Sequence, residues 1–360
     1  MKVLVTVGIF PPDIGGPATF VPKIAKYFQD ELNYEIEILT LSDNKNLDVK
    51  DNFSVKRIDR NLPIIYRWLK TIFTIYKLGK NKDLIFVNGL GTEATIANIF
   101  LKKKIIRKIV GDPVWERAYS KAKISESFDE FQVKNYGFSI SLQKKVRSFS
   151  IKKSDIVVTP SKHLKNFILN LGFKNKIEII NNGVFIPEEN TNIFTNDQIN
   201  ITIVSRLVSH KNIEKIIKAI SDLNSPLINL NIIGDGPELN QLQKISLESN
   251  NKDNIIFHGK LNRDEINHIF LNSDIYIQAS NYEGLPHSLL EAMSYGIPVL
   301  CTPVGECKEI LGNEDRGYIV DLPVSKNNIK SMGLYRKADS TPLPPIVTPV
   351  ESIKEKMITI

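Results

Sequence analysis

Glu283 stands at the start of a stretch whose residue types and spacing are suited to chemistry on a polar ligand. The stretch is SNYEGLPHSLLEAMSYGIPVL, residues 280–300. Pro286 is a favoured first residue of a helix, and Gly296 is a common residue just past a helix end. The spacing therefore predicts a helix over residues 286–295, with a carboxylate in the loop immediately before its N-terminus.

The predicted helix start and two carboxylates form a candidate binding site. N–H groups near His287 and Ser288 would carry a partial positive charge and bind an anion. Glu283 could accept hydrogen bonds from sugar hydroxyls. Glu291 lies further along the helix among apolar residues, where a carboxylate is costly unless it meets donors such as vicinal ribose hydroxyls. The alternative is a glutamate on a hydrated helix face, which explains neither the proline start nor the glycine spacing.

A pair of cations, Arg206 and Lys211, stands in VSRLVSHKNIEKII, at the end of a predicted strand and the entry to a predicted helix. Two cations aimed at one ligand would neutralise a diphosphate leaving group as negative charge develops on it. The alternative is two surface cations, which the segment alone does not exclude. His210 lies beside them and carries no specific signal.

Two glycine-containing loops follow predicted strands. In GIFPPDIGGPATF, Gly15 and Gly16 allow the backbone to approach a ligand closely at the start of a predicted helix. In IIGDGPELNQL, Gly234, Asp235 and Gly236 open another helix, and a nucleotide nearby is one interpretation. The other interpretation of both loops is a tight turn without a ligand.

The elements that position these loops are alternating β-branched runs and amphipathic segments, the pattern of parallel sheets built from βαβ units. The predicted strands are KVLVTVGI, YEIEILTL, FSVKRID, DLIFVNG, KIIRKIV, SDIVVTP and KIEIIN, and then INITIVSRL, INLNIIGDG, NIIFHGK, DIYIQAS, IPVLCT and RGYIVDL. Between the two series, the Asn-rich residues 181–198 lose the pattern, which indicates a domain boundary. We therefore expect an α/β protein with two doubly wound domains and ligands outside the carboxyl ends of their strands.

Composition limits the class of protein. With 42% hydrophobic and 24% charged residues, the chain is typical of a globular protein, and no apolar run reaches the roughly 20 residues that a membrane span needs. The N-terminal segment lacks the features of a signal peptide and is interpreted as a buried strand. The two cysteines, Cys301 and Cys307, fit neither a disulfide framework nor a zinc site, so we expect a cytoplasmic protein.

Positive charge is concentrated in one part of the chain. The formal net charge is +7, yet residues 101–153 carry 14 lysines and arginines against 5 acidic residues. This excess would attract an anionic membrane surface or a polyanionic substrate, and a hydrated basic surface is the alternative. The segment contains no helix-turn-helix, zinc or aromatic platform motif, so nucleic acid is not an expected partner.

In their order along the chain, the four loops resemble those of the retaining glycosyltransferases of family 4, within the glycosyl transferases group 1. The resemblance covers roughly residues 1–322 and is most specific in EGLPHSLLEAMSYGIPVLCTPVGECKEIL. It implies the GT-B fold, with two Rossmann-like domains facing across a cleft. Glu283 would then contact the donor sugar and Glu291 the nucleotide ribose. Arg206 and Lys211 would hold the pyrophosphate.

The resemblance also implies a wider donor-binding set and one departure from the family. The further donor-binding residues are Gly15, Gly16, Gly234, Gly236, Gly284, Leu285, His287, Ser288 and Leu289. Family members often have a histidine in the N-terminal domain that touches the donor sugar, but every histidine here lies at position 163 or later. Asp112, in KIVGDPVWERA, is the catalytic candidate at the corresponding place. Trp115, Glu116 and Arg117 would line the acceptor side, although a buried tryptophan that supports a loop is as common.

The implied activity is retaining transfer of a sugar from a nucleoside-diphosphate sugar to a glycan or lipid-linked glycan, in cell-envelope polysaccharide biosynthesis. The enzyme would be cytoplasmic and peripheral on the inner face of the membrane. The departing phosphate would help to deprotonate the acceptor, so no strong protein base is needed. The chain contains no Asp-x-Asp motif, and we expect neither a metal ion nor a cofactor.

The expected domains are residues 1–184 on the acceptor side and residues 185–325 for the nucleotide sugar. An atypical tail, residues 326–360, contains the Pro-rich STPLPPIVTP and is interpreted as a truncation that removes the terminal helix of GT-B enzymes. The alternative function is therefore a non-catalytic nucleotide-sugar-binding or scaffold subunit, which would bind a donor without turnover.

Overall fold

Strands and helices alternate through the part of the chain that the computed structural model describes, which comprises residues 1–13, 15–43, 53–181, 183–184, 187, 198–312, 317–321 and 324–329. The strands within these ranges are β1 (Lys2–Val7), β2 (Glu35–Ser42), β3 (Ser54–Asp59), β4 (Leu84–Asn88), β5 (Lys104–Lys108), β6 (Ile156–Thr159), β7 (Lys176–Ile179), β8 (Ile199–Val204), β9 (Ile228–Ile233), β10 (Ile255–Gly259), β11 (Ile275–Gln278), β12 (Val299–Cys301) and β13 (Gly317–Ile319). The helices are α1 (Gly16–Asp30), α2 (Ile64–Gly79), α3 (Gly91–Leu101), α4 (Pro113–Ser120), α5 (Phe128–Val133), α6 (Phe138–Lys152), α7 (Lys162–Asn170), α8 (Ile213–Leu223), α9 (Leu239–Leu247), α10 (Arg263–Leu271), α11 (His287–Ser294) and α12 (Cys307–Leu311).

The strands form two separate parallel sheets. The first has the order β3-β2-β1-β4-β5-β6-β7 and the second the order β10-β9-β8-β11-β12-β13. Adjacent strands pair in parallel in both sheets. Each strand predicted from the sequence is present, so the expected α/β class with two doubly wound, Rossmann-like sheets is confirmed.

Branched aliphatic side chains build the core of each sheet. Central strands such as β4 are buried along their whole length, because helices cover both faces of a doubly wound sheet. In the second unit, α8 contributes four buried isoleucines at helical spacing, and these pack on β8, β9 and β11. None of the described helices is both long enough and apolar enough to cross a bilayer.

The chain divides into two units, and one segment of the first half of the sequence belongs to the second. The first unit contains the described residues of 1–110 and 136–179, and the second contains those of 111–135 and 180–329. The expected division had placed 111–135 with the first domain. The segment joins the second unit because its apolar and polar side chains contact the loops that follow β8 and β11, as described below. Most of 181–198, where the boundary was predicted, and residues 330–360 of the predicted tail lie outside the described residues.

Candidate functional site

The order of the second sheet reverses between β8 and β11, and this reversal determines where its functional loops lie. The connections from these two neighbouring strands leave in opposite directions, which opens a crevice at their carboxyl ends. The loop after β8 carries Arg206 and Lys211, and the loop after β11 carries Glu283. The structure therefore brings three predicted site residues to the switch point of one sheet.

A buried ion pair fixes the orientation of Lys211. Its Nζ lies 2.5 Å from Oε1 of Glu283, and the two side chains are only 15% and 12% exposed. Ser280 donates its hydroxyl to the same carboxylate oxygen at 2.6 Å. Two donors on one oxygen hold the carboxylate in one place. A ligand that reaches either member of the pair must therefore share or replace an existing contact.

Arg206 is more accessible than Lys211. Its side chain is 65% exposed, and its Nη2 lies 3.5 Å from Oε2 of Glu116 on α4. Because this ion pair is long and its guanidinium is exposed, it contributes little to stability, and the guanidinium can turn to a ligand at small cost. Desolvation raises the pKa of Glu116, and the charges of Arg206 and Lys211 offset part of that rise. Two ion pairs therefore lie here, and we call their four residues the charge cluster: Arg206, Lys211, Glu116 and Glu283.

The helix that the sequence predicted after Glu283 is present and one residue shorter at each end. Pro286 precedes α11 rather than beginning it, because its ψ of 91° lies outside the helical range. No side chain caps this N-terminus. Gly296 follows the helix with a φ of 69°, which supports the predicted glycine signal at its end.

Glu291 lies on the buried side of α11 and meets two nitrogen donors. His287 Nδ1 lies 2.9 Å from its Oε1, and Arg263 at the start of α10 bonds the same oxygen. Burial would raise the pKa of Glu291, but the contacts with His287 and Arg263 outweigh it, and the net pKa is lowered. The carboxylate is therefore ionised at neutral pH. The sequence did not predict Arg263 as a site residue, because the only signal in its segment is the capping box that begins with Asn262.

Gly234 and Gly236 hold the backbone that carries Arg206. A Cβ at Gly234, whose φ is +135°, would lie 1.8 Å from the carbonyl oxygen of Ser205, and one at Gly236 would lie 2.3 Å from that of Leu207. The N–H of Leu207 donates to the carbonyl of the intervening Asp235 at 3.0 Å. The close packing of the loop after β8 against the loop after β9 is enough to require both glycines, whether or not a ligand binds nearby.

Asp112 caps a helix in the second unit. It is fully buried, and its oxygens accept from the backbone N–H of Val114 at 3.0 Å and from Nε2 of Gln132 at 3.1 Å. This is the ordinary position of an aspartate before a proline at the start of a helix. The cap fixes the first turn of α4, from which Glu116 reaches Arg206.

Trp115 supports the loops rather than presenting its ring to solvent. It is fully buried, and ring centroids of Tyr119, His210 and Tyr282 lie 4.8, 5.7 and 4.9 Å from its own. Tyr119 also accepts a hydrogen bond from Nδ2 of Asn281 at 2.5 Å. Together these contacts attach α4 to the loops after β8 and β11. Arg117, predicted beside them, is exposed and donates to the carbonyl oxygen of residue 113.

His210, which showed no specific signal in the sequence, is a buried neutral side chain in this cluster. Burial lowers its pKa to about 3, and the charges of Lys211 and Arg206 act in the same direction. Its backbone carbonyl accepts from the N–H of Asn281 at 2.7 Å, which joins the two loops directly.

The loop after β12 supports Glu283 from behind. A Cβ at Gly305, whose φ is +57°, would lie 2.2 Å from the carbonyl oxygen of Glu283. Thr302 donates its hydroxyl to the carbonyl of Ser280 at 2.5 Å. Sequence reasoning did not single out Gly305, and the only available signal was a glycine after a predicted strand.

Other predicted donor-binding residues lie close to α11. Leu289 is fully buried in the apolar cluster behind the helix, and Leu285 packs against the same cluster. Gly284 is buried in the loop that leads to α11. Ser288 Oγ lies 2.8 Å from the hydroxyl of Tyr276. The side chains of the two leucines therefore hold the loop, and only backbone groups at these positions remain for a ligand.

The first glycine loop lies in the first unit. Gly15 precedes α1 with a φ of 151°, and its carbonyl accepts from the N–H of Thr19 at 3.0 Å. A Cβ at Gly16 would meet nothing within 4 Å, so the space beside the start of α1 is open. The loop follows β1, which borders the switch point of the first sheet. Within the described ranges of the chain, no three His, Cys, Asp or Glu side chains are grouped to hold a metal ion.

Comparison with known proteins identifies the family. The family model described as Glycosyl transferases group 1 matches residues 186–331. An uncharacterized glycosyltransferase of Methanocaldococcus jannaschii is 30% identical over 353 residues, covering 89% of this chain and 85% of that protein. The chain belongs to the group 1 glycosyltransferases. The O-antigen biosynthesis glycosyltransferase WbnH of Escherichia coli is 29% identical over 318 residues, covering 86% of this chain and 83% of that protein.

Solved structures show that this group 1 glycosyltransferase has the GT-B fold. The crystal structure of Anabaena HepE in complex with UDP-glucose matches with a TM-score of 0.73 over 100% of both chains, at 16% sequence identity. The expected fold is therefore confirmed. The family match contains Arg206, Lys211, Glu283 and Glu291, whereas the segment Gly111–Asn135 lies outside it.

Proposed function

We propose that this group 1 glycosyltransferase is a retaining enzyme of family 4 that transfers a sugar from a nucleoside-diphosphate sugar to a glycan or lipid-linked glycan. The observation that carries the proposal is the charge cluster at the switch point of the second sheet, next to the uncapped N-terminus of α11. Two cations and a helix N-terminus suit a diphosphate, and nearby carboxylates suit sugar hydroxyls.

The contacts suggest which residue would bind each part of the donor. Arg206, which is loosely paired, turns from Glu116 to the diphosphate, and Lys211 shares its ammonium between Glu283 and a phosphate oxygen. Glu291 accepts hydrogen bonds from the ribose hydroxyls, while Arg263 and His287 keep its carboxylate ionised. For Gly15 and Gly16, a donor-binding role is supported by the resemblance of their loop to the first glycine loop of the family.

The chemical step breaks the bond between the sugar C1 and the phosphate oxygen, and forms a bond from the acceptor oxygen to C1 on the same face. The leaving diphosphate takes the acceptor proton, and the two cations neutralise the charge that develops on it. No protein base is needed in this scheme. Asp112 then acts as a positioning residue, because it caps the helix from which Glu116 reaches Arg206.

Similar proteins support a proposal for the donor nucleotide and for the kind of product. HepE was crystallised with UDP-glucose, and WbnH of Escherichia coli takes part in O-antigen biosynthesis. We infer that the donor is a UDP-sugar and that the product enters a cell-envelope polysaccharide. The reaction would take place in the cytoplasm at the inner face of the membrane, and without a metal ion.

Donor cleavage with stereochemical analysis tests this function. The purified chain is incubated with UDP-, GDP- and ADP-sugars and a mixture of glycan acceptors, and the anomeric configuration of any new linkage is read by NMR. We expect product from the UDP-sugars, with the configuration of the donor retained and turnover unchanged by EDTA. An inverted product would contradict the retaining mechanism, and loss of turnover with EDTA would contradict metal independence.

A further inference from the structure

One face of the first unit carries a layer of helices that includes α2, α3 and α6. The connections from β3 to β4, from β4 to β5 and from β5 to β6 all run in the same direction along the sheet. Since such parallel connections are right-handed, α2, α3 and α6 lie on the same face of the sheet. α2 packs against α3, and α3 packs against α6.

The outer side of α2 is apolar and exposed. Ile65, Leu69 and Phe73 recur every fourth residue and so form one stripe along the helix, and they are 75%, 55% and 66% exposed. Thr71 and Ile75 are buried and face the first sheet. The stripe is therefore not the core side of an ordinary amphipathic helix, and contiguous apolar surface of this kind marks an interaction site.

The same surface continues over the neighbouring helices. Phe100, near the end of α3, is exposed and packs edge-on against Tyr76 of α2 with 6.4 Å between ring centroids. α6 adds a second stripe of exposed apolar side chains at helical spacing, formed by Phe138, Leu142, Val146 and Phe149. We call the α2 stripe, Phe100 and the α6 stripe together the apolar face.

The helices of the apolar face carry many basic residues and almost no acidic ones. The three helices contain one acidic residue, Glu93, and seven lysines and arginines, of which all but the buried Arg147 are at least partly exposed. On α2, the Nζ of Lys70 lies 5.8 Å from the ring centroid of Tyr66, and that of Lys80, just past the helix, lies 4.8 Å from the ring of Tyr76. Ammonium groups beside aromatic rings at the border of an apolar stripe suit the boundary between acyl chains and phosphate headgroups.

We propose that the apolar face docks this enzyme on an anionic lipid bilayer, with α2 lying in the plane of the interface. The proposal rests on the membrane-attachment part of the proposed function and gives that attachment a surface. From the sequence, attachment was expected through charge in residues 101–153. The structure adds α2, which lies outside that segment and supplies apolar insertion as well as charge.

A bilayer explains the surface better than a second copy of the chain does. In a symmetric dimer through this face, the same cations would meet across the axis with only one acidic residue per copy among them, which disfavours association. Anionic headgroups complement the cations, and acyl chains complement the stripes.

The test is sedimentation of the full chain with vesicles of phosphatidylcholine alone and of phosphatidylcholine mixed equally with phosphatidylglycerol. We expect the wild type to bind the mixed vesicles. Replacing Ile65, Leu69 and Phe73 together by serine should weaken binding at least about tenfold, since each serine removes apolar surface that the bilayer would bury.

A matched control separates docking from general loss of surface hydrophobicity. Leu227, Leu247 and Ile256 are comparably exposed in the second unit, and replacing all three by serine should leave vesicle binding unchanged. Thermal midpoints of both triple variants show whether each is folded. Equal binding by the wild type and the α2 triple variant would overturn the proposal.

A charge variant tests the face without touching its apolar residues. Lys70→Glu with Lys77→Glu should remove the preference for anionic vesicles, whereas Lys244→Glu with Lys252→Glu on the second unit should not. If the wild type binds no vesicles but dimerises in sedimentation velocity, and the α2 variants are monomeric, the face is an interface between copies and the proposal is wrong. Vesicle binding needs no donor, so its failure and a failure of sugar transfer are distinguishable.

Discussion

Replacing Lys211 by methionine should destabilise the second unit, because it leaves the carboxylate of Glu283 without its cation where little water reaches. The two side chains lie 2.5 Å apart and are 15% and 12% exposed. Removing one partner of a buried ion pair costs about 3–5 kcal/mol. The hydroxyl of Ser280 remains on the carboxylate, so we expect a loss near the lower end, about 3 kcal/mol.

Unfolding of the second unit can be followed separately. The chain has two tryptophans, Trp115 buried in the second unit and Trp68 on α2 of the first. In a Trp68→Phe background, fluorescence reports the environment of Trp115 alone. For a unit of this size, a loss of about 3 kcal/mol lowers the thermal midpoint by about 6–12 °C.

A double variant makes the prediction specific to the ion pair. When Glu283→Gln is added to Lys211→Met, no buried charge is left unpaired, and most of the lost stability should return. A fall of less than about 2 °C for the single variant would mean that the unpaired carboxylate of Glu283 costs little stability, contrary to this prediction. A double variant as unstable as the single one would also contradict it.

Three other expected outcomes test separate parts of the site. Burial lowers the pKa of His210 from 6.5 to about 3, so as the pH falls the unfolded chain binds a proton at this residue before the folded chain does. His210 should therefore remove up to about 1.4 kcal/mol of stability per pH unit below 6.5. In denaturant unfolding between pH 6.5 and about 5, the free energy of unfolding of His210→Gln should fall less steeply with falling pH than that of the wild type. The pKa of Glu291 is lower in the folded chain than its unfolded value of 4.5, so its ionised carboxylate stabilises the fold above pH 4.5, and this stabilisation is lost as the pH falls through the folded pKa. In the same assay, the stability that Glu291→Gln loses relative to the wild type should therefore shrink below pH 4.5. A difference in stability that stays constant with pH would contradict this. Gly234→Ala should lower the free energy of unfolding by at least about 3 kcal/mol, because the new Cβ would lie 1.8 Å from a backbone oxygen. Gly259→Ala should lower it by about 1 kcal/mol, because φ is also positive there, at +68°, but nothing lies within 4 Å of the new Cβ. Equal losses would show that close backbone packing does not account for the effect at Gly234.

The fold could be predicted because its signals are local. Short β-branched runs such as KVLVTV predicted each strand without knowledge of its neighbours. The limits of α11 were predicted to within one residue from Pro286 and Gly296, which act through their own backbone preferences. The four loops of the predicted site follow from the same local pattern.

The partners of the site residues could not be predicted, because they come from distant parts of the chain. Glu291 needs donors wherever it is buried, but only the packing of α10 beside α11 shows that Arg263 is one of them. The attachment of 111–135 to the second unit depends on the fit of Trp115 between His210 and Tyr282.

Asp112 shows a local signal that was interpreted for its chemistry instead of its structure. An aspartate before a proline, followed by a helical pattern, is typical of an N-cap. The structure places its carboxylate on the backbone N–H of Val114, and the residue that extends from this helix to Arg206 is Glu116.

We propose that the charge cluster and Glu291 bind the diphosphate and ribose of a nucleotide sugar. The most direct test is a thermal-stability titration of the wild type, Arg206→Ala and Glu291→Gln with UDP-, GDP- and ADP-sugars, with Lys244→Ala as the control. At a hundred times its dissociation constant, a ligand should stabilise the wild type and the control by about 2.7 kcal/mol. We predict that the UDP-sugars do so and that both site variants lose the effect. Equal stabilisation of all four proteins would contradict the assignment of the site.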